Sequence, residues 1–331
     1  MRAMVLHEQT EAERSPLKLE DVAVPVPGAG QVRVRVRVCG VCRTDVHIVE
    51  GDVRPPRLPI IPGHQVVGVV DALGSGVSSH REGDRVGVPW LYSTDGTCAY
   101  CRRGLENLCD NGRFTGFDVN GGYAEALNVP SESAYSIPGI FSDEAAAPLL
   151  CAGVIGYRSY RLSGAKSGDR IVMIGFGSSA HLVLQMALHE KCQVDVITRS
   201  TGHQKLAREL GANWVGNADD YPAGASDCAI VFAPAGQLVP VALKAVRKGG
   251  TVTLAGITMS EIPTMPYSIL YHERVVRSVA NSTHKDVREF LDLAAEVPIK
   301  ASVQLFSLEQ ANEAILAVKQ SKTEAAAVLK L

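Results

Sequence analysis

The chain has no run of like charge, no long apolar stretch, no internal repeat and no low-complexity tract. Each absence excludes something. Lys and Arg never cluster beyond a pair, and 33 of them against 35 Asp and Glu leave a formal net charge of −2. A basic face for nucleic acid is therefore not expected. No apolar run reaches the ~18–20 residues of a membrane-spanning helix, so no membrane partner is expected either. The opening Met1-Arg2-Ala3-Met4-Val5-Leu6-His7-Glu8 turns polar too soon for a secretory signal. A cytoplasmic location is the expectation.

What is present is the composition of a folded globular protein, with 46% hydrophobic and 21% charged residues over 331 positions, enough for two domains. Eight cysteines without a signal peptide do not read as a disulfide framework. Cys39 and Cys42 are close, Cys98, Cys101 and Cys109 are clustered, and Cys151, Cys192 and Cys228 stand apart. Clustering in a reducing compartment points to metal binding or to redox chemistry.

The first third reads as β-rich. Val32, Val34, Val36 and Val38 alternate with Arg33, Arg35 and Arg37, a period of two that buries one face of a strand. Closely spaced Gly and Pro after it, from Gly51 to Gly87, suit short strands and tight turns in a small barrel-like domain. Near Ser142 the texture changes, and Ser142-Asp143-Glu144-Ala145 looks like a helix start. Strands are expected at residues 171–174, 194–198, 229–233 and 251–255. Helices are expected at 178–189, 203–210 and 238–246, the last two stopped by Gly211 and by Gly249-Gly250. This rhythm predicts an α/β fold with a doubly wound parallel sheet. Two amphipathic stretches, 287–296 and 308–319, precede a last strand at 325–329.

Gly175-Phe176-Gly177-Ser178-Ser179-Ala180 falls between the first of these strands and its helix. Gly175 permits the tight turn, Gly177 lets backbone amides approach a pyrophosphate, and Ala180 is small enough for helix and strand to pack. With Ser178 and Ser179 at the helix start, this is a candidate dinucleotide site. The second strand ends in Thr198-Arg199 rather than in an acid, and Asp195 lies too early. Thr198 and Arg199 suit a 2′-phosphate, which favours NADP over NAD; a solvated surface arginine is the alternative.

Three segments carry a resemblance: Gly40-Val41-Cys42-Arg43-Thr44-Asp45-Val46-His47, Pro62-Gly63-His64-Gln65-Val66-Val67-Gly68, and Leu149-Leu150-Cys151-Ala152-Gly153. In order and content they resemble the zinc-binding segments of the zinc-dependent medium-chain alcohol dehydrogenases, and the resemblance spans nearly the whole chain. It implies a GroES-like β-rich catalytic domain at 1–150, a Rossmann NAD(P)-binding domain at 151–285, and a C-terminal segment, 286–331, returning to the first. It implies that Cys42, His64 and Cys151 ligate a catalytic zinc with a fourth position open, and that Asp45 orients His64. Thr44 and His47 would relay a proton through the nicotinamide ribose. One departure is Gln65, where the family usually has Glu; the shape is kept and the charge lost.

A second lobe reads Asp95-Gly96-Thr97-Cys98-Ala99-Tyr100-Cys101-Arg102-Arg103-Gly104-Leu105-Glu106-Asn107-Leu108-Cys109. The family closes a structural zinc site here with four cysteines, and in this chain Asp95 replaces the first. A carboxylate oxygen is a legitimate zinc ligand, so Asp95, Cys98, Cys101 and Cys109 imply a second zinc per chain; a metal-free lobe with three free thiols is the alternative. The resemblance implies an enzyme that interconverts primary or secondary alcohols and aldehydes or ketones. Two rival readings are a zinc-independent quinone or enone reductase of the same superfamily and a catalytically silent nucleotide-binding scaffold. By analogy the assembly is a homodimer or homotetramer. Val53, where ethanol-preferring relatives commonly carry Trp, implies room for bulkier alcohols, partly refilled by Trp90, Leu91 and Tyr92.

Overall fold

The computed structural model describes every residue except 324 and 325. It divides into two compact units. The first comprises Met1–Cys151, Ser282–Ala295 and Lys300–Leu331. Its sheet is organised by the strand Gln31–Val41, in which Val32, Val34, Val36 and Val38 are buried while the arginines between them turn outward. Arg33 meets Asp71 at 2.8 Å and Arg37 meets Asp143 at 3.2 Å. The alternation does what a period of two demands: one face joins the core and the other is paired at the surface.

On one edge of Gln31–Val41 lies Val66–Leu73, antiparallel, followed by Arg85–Val88 and Tyr135–Ser136. On the other edge Ala126–Pro130 pairs with its first half and Ala326–Lys330 with its second. Val303–Ser307 adds a parallel strand beyond the last. The terminal strand was expected to begin at Ala325, which lies outside the described residues; Ala326–Leu329 are buried. The expected stretch at 308–319 is a short 3₁₀ turn, Leu308–Gln310, that continues as the helix Ala311–Lys319. Ala311, Ala314 and Ile315 are its buried stripe, the i, i+3, i+4 pattern of an amphipathic helix.

The second unit comprises Ala152–Asn281 and Glu296–Ile299. Six parallel strands run in the order Trp214–Gly216, Gln193–Ile197, Arg170–Ile174, Ser226–Val231, Val246–Leu254, Val275–Ser278. Numbered along the chain this is 3-2-1-4-5-6, the doubly wound order whose strand direction of travel reverses beside the first strand. The helices Ser178–His189, Thr201–Glu209 and Leu238–Ala245 connect them. Glycines at 249 and 250 were expected to stop the third helix. Instead the helix ends at Ala245 and the strand Val246–Leu254 runs through both glycines, with Gly249 at φ +74°.

Some of the described elements carry no clear sequence pattern. Val275–Ser278 and Val303–Ser307 are sheet-edge strands, mostly exposed, so neither shows an alternation. The helix Ala152–Ser163 contains Gly153 and Gly156, which weaken its helical signature. Gly156 is there for packing: a Cβ on it would stand 2.3 Å from Val183 Cγ2 on the neighbouring helix. Among the described residues no helix is long and apolar enough to cross a membrane.

Candidate active site

Within the first unit, three distant segments meet. Cys42 is the N-cap of the helix Arg43–Glu50, and its sulfur accepts the Thr44 N–H at 3.3 Å. His64 follows the Pro62-Gly63 bend, and Cys151 ends the 3₁₀ turn Ala147–Leu150. Cys42 Sγ lies 3.2 Å from His64 Nε2, and the donor atoms of Cys42, His64 and Cys151 all lie within 4.8 Å of one another. A tetrahedral ion with bonds of about 2.3 Å to sulfur and about 2.0 Å to nitrogen needs donors roughly 3.5–4 Å apart, so this spacing fits zinc.

The charges point the same way. Cys42 sits well below its ordinary pKa because the Cys151 thiol donates to it and His64 lies beside it. Cys151, sharing its proton with Cys42 and buried, is pushed up. For His64, burial opposes protonation, but the negative charges of Asp45 and Cys42 and the contacts with both outweigh it and raise the pKa to about 10. The pocket therefore calls for positive charge. A divalent cation meets that need with the imidazole neutral and both sulfurs as thiolates.

Asp45 has two tasks, and sequence reading anticipated one. Its Oδ1 lies 3.2 Å from His64 Nδ1, close but at an angle short of a hydrogen bond. Its Oδ2 accepts the Cys42 N–H at 2.9 Å, which completes a capping box with the Cys42 side chain. One buried carboxylate thus holds the backbone of one sulfur ligand and faces the ring of the histidine. Further along the same helix, His47 Nδ1 pairs with Asp52 Oδ2 at 2.7 Å. Thr44 is half-buried on the first turn.

Of the neighbours, Tyr123, Phe114 and Phe117 were not singled out from sequence, whereas Gln65, Val53 and Trp90 were. Tyr123 is fully buried, and burial foremost, then the charge of Asp45, push its phenol pKa well up, so it keeps its proton. Its ring packs on Gly63, where a Cβ would fall 2.4 Å from Cδ1; φ there is +100°, so only glycine is unstrained. Trp90 lies edge-on to the His64 ring at 4.8 Å and is stacked on Phe114 at 5.2 Å, with Phe117 at 5.8 Å. Val53 is half-buried and packs against the core of the unit, as Trp90 and Phe117 do. Gln65 is 2% exposed and folds over Gly40, where a Cβ would meet its Oε1 at 2.8 Å.

The second lobe brings Asp95, Cys98, Cys101 and Cys109 together, again with donor atoms within 4.8 Å. Asp95 Oδ1 accepts the N–H groups of Thr97 and Cys98, both at 2.8 Å, and Oδ2 accepts Asn111 Nδ2 at 2.9 Å. Asn111 foremost, then the two amides, keep its pKa well below the carboxylate range. Asn111 had no sequence signal beyond standing two residues after Cys109.

In the second unit, Gly175 takes φ +88°, and a Cβ there would sit 2.9 Å from the Ala233 nitrogen. Gly177 is the N-cap of Ser178–His189 and has no side chain to cap it. The first-turn amides of that helix are therefore available to an anion. Ala180 is fully buried, as close packing requires. Thr198 is buried beyond the end of its strand, while Arg199 is exposed. Asp195 is buried in mid-strand, takes the Tyr221 hydroxyl at 2.7 Å and pairs with Arg170 at 3.5 Å.

Residues 28–139 match the alcohol dehydrogenase GroES-like domain, and residues 180–296 match the zinc-binding dehydrogenase domain. The chain is 43% identical to the Mycobacterium tuberculosis protein named "Probable alcohol dehydrogenase AdhA", over 99% of this chain and 97% of that one. It superposes on a cinnamyl alcohol dehydrogenase of Sorghum bicolor with a TM-score of 0.90 at 26% identity, covering 99% and 97% of the two chains. An NAD-dependent alcohol dehydrogenase superposes with a TM-score of 0.91 at 25% identity, over 100% of both.

Proposed function

The chain belongs to the medium-chain alcohol dehydrogenases, zinc-binding oxidoreductases that interconvert alcohols and aldehydes or ketones with a nicotinamide cofactor, and from that premise we propose which of its residues do what. Cys42, His64 and Cys151 hold the catalytic zinc. The observation that carries this is one imidazole nitrogen and two sulfurs converging from three distant segments, with Asp45 behind them. Zinc, when bound, supplies Lewis acidity to the substrate oxygen, and the nicotinamide accepts or returns the hydride.

Everything else is the work of side chains. Asp45 keeps the His64 ring turned so that Nε2 faces the two sulfurs, and it fixes the Cys42 backbone through the helix cap. Thr44 and His47 carry the proton away from the reacting oxygen, and Asp52 holds His47 by Nδ1. Trp90, backed by Phe114 and Phe117, forms an aromatic wall beside His64 that partly refills the room left by Val53, and the pocket that remains suits bulkier or aromatic alcohols over ethanol. Gln65, held over Gly40, keeps the packing behind His64 without adding a second acid there.

The turn of Gly175, Gly177, Ser178, Ser179 and Ala180 receives the cofactor pyrophosphate, and Thr198 with Arg199 favours NADP over NAD. Asp95, Cys98, Cys101 and Cys109 hold a second, structural zinc, so the full complement is two per chain. The unit with the metal clusters is the catalytic domain and the parallel-sheet unit the cofactor domain. A cytoplasmic location and a homodimer or homotetramer complete the reading. The test is direct. Cys42→Ala, His64→Ala and Cys151→Ala should each lose one zinc and all turnover, yet still bind NADPH, because the dinucleotide turn lies in the other unit. A Cys151→Ala chain with full metal content and activity would refute the ligand set.

A further inference from the structure

Behind His64 three fully buried polar atoms lack a well-aligned hydrogen-bond partner: Asp45 Oδ1, His64 Nδ1 and the Tyr123 hydroxyl. They belong together. Asp45 Oδ1 stands 3.2 Å from His64 Nδ1, and the charge of the same carboxylate is felt at the buried Tyr123 phenol, whose pKa it helps to raise. The ring of Tyr123 is clamped against Gly63, the residue before His64, and its backbone N–H donates to Pro62 O at 3.0 Å. Next to it, Gly122 N–H donates to Gly63 O at 2.9 Å. Tyr123 therefore belongs to the same packed block as the bend that presents His64.

The donor inventory decides the arrangement. When His64 is neutral and Nε2 faces the sulfurs, Nδ1 carries the proton and can only donate. A phenol in an apolar setting also keeps its proton and must place it on an acceptor. Asp45 Oδ2 already takes the Cys42 N–H. One acceptor oxygen is left between two donors, and a fully buried carboxylate is tolerated only when such donors surround it.

We propose that Tyr123 is a positioning residue for the metal centre: its hydroxyl donates to Asp45 Oδ1, shares that oxygen with His64 Nδ1, and so holds the carboxylate that orients the histidine. This rests on the reading that Cys42, His64 and Cys151 hold zinc. Tyr123 touches neither substrate nor cofactor and acts through Asp45. Partners of a ligating histidine are typically worth 10–100-fold in metal affinity, and a group one step further out belongs at the lower end of that range.

Tyr123→Phe keeps the ring on Gly63 and removes only the hydroxyl. In the full-length holoenzyme it should release the catalytic zinc to excess dipicolinate about tenfold faster than the parent. The visible absorption of the cobalt-substituted enzyme should shift as well. In an Asp45→Asn background, which already weakens the acceptor, adding Tyr123→Phe should change zinc release by less than about twofold. Release and cobalt spectrum unchanged in Tyr123→Phe, even with a lowered Tm, would overturn the proposal and leave Tyr123 a packing residue. So would an undiminished effect in the Asp45→Asn background. If Tyr123→Phe fails to fold, uniform 3-fluorotyrosine labelling gives the reverse perturbation. A more acidic phenol donates more strongly, so zinc release should slow with Asp45 present and not in Asp45→Asn; equal slowing in both would overturn the idea. A parent enzyme whose zinc content does not fall on Cys42→Ala would instead remove the reading of the centre itself, and no Tyr123 variant is needed to see it.

Discussion

Acid should loosen the cofactor unit through a single histidine. His181, in the first turn of the helix that follows the dinucleotide glycines, is 1% exposed. Its Nδ1 lies 3.2 Å from Gly177 O, and Nε2 has no partner. Burial lowers its pKa from 6.5 to about 4. Because the folded value is depressed, the folded chain holds His181 neutral where the unfolded chain would already be protonated. Stability from this source is intact above pH 6.5 and is lost as pH falls from 6.5 toward 4. At about 1.36 kcal/mol per unit, the full loss is about 3 kcal/mol, with about 2 kcal/mol of it gone by pH 5. Other groups titrate over the same range, so a paired comparison isolates this one. His181→Gln keeps a group able to donate to Gly177 O and cannot be protonated. The variant should start at or below the parent in stability at pH 7.5 and gain on it steadily to pH 5. Urea denaturation of both chains at half-unit pH intervals, followed by tryptophan fluorescence, reads the difference. Parallel stability curves for parent and variant would refute the reasoning.

Three further outcomes follow from the site. The unmodified enzyme should use NADPH at least as well as NADH, and Arg199→Asp should reverse that preference by tenfold or more in kcat/KM, since an acid repels the 2′-phosphate and accepts from a 2′-hydroxyl; a strong NADH preference in the parent contradicts it. Asp95→Ala should reduce zinc from two per chain toward one and lower Tm, with the catalytic constants nearly unchanged, because its carboxylate organises the Thr97 and Cys98 amides as well as Asn111. A native content of one zinc, with three titratable thiols, would favour the metal-free lobe. Benzyl alcohol and longer primary alcohols should exceed ethanol in kcat/KM by roughly tenfold, and Trp90→Ala should erode the advantage for the aromatic substrate. Val53→Trp should narrow the pocket and shift the profile toward ethanol; a profile unchanged by it would refute the pocket role of Val53.

Much of this was legible from the chain alone, for a common reason: the signals are local. Alternation in residues 32–38, the glycines and the small residue of 175–180, and the helix stripes each depend on neighbours a few positions away. Steric and hydrogen-bonding rules act at that range whatever the rest of the chain does. The order and content of the segments around Cys42, His64 and Cys151 carried the family resemblance that implies them as zinc ligands.

Tertiary structure alone decided the rest. That Asp45 stands 3.2 Å from His64, that the Tyr123 ring packs on Gly63, and that Asn111 grips Asp95 are contacts across folds of the chain. No periodicity announces them. The stack of Trp90 on Phe114 beside His64 joins segments 24 and 26 residues apart in sequence. Gly249-Gly250 read as a helix stop because glycine ends helices; here they fall in the irregular stretch between Val246 and Thr251, and parallel partners on both sides begin at Thr251. The exposed edge strands stayed silent because a strand that buries neither face has no alternation to show. Residue type specifies which chemistry a position can carry; packing and the satisfaction of buried polar groups determine which other residues bring that chemistry into register.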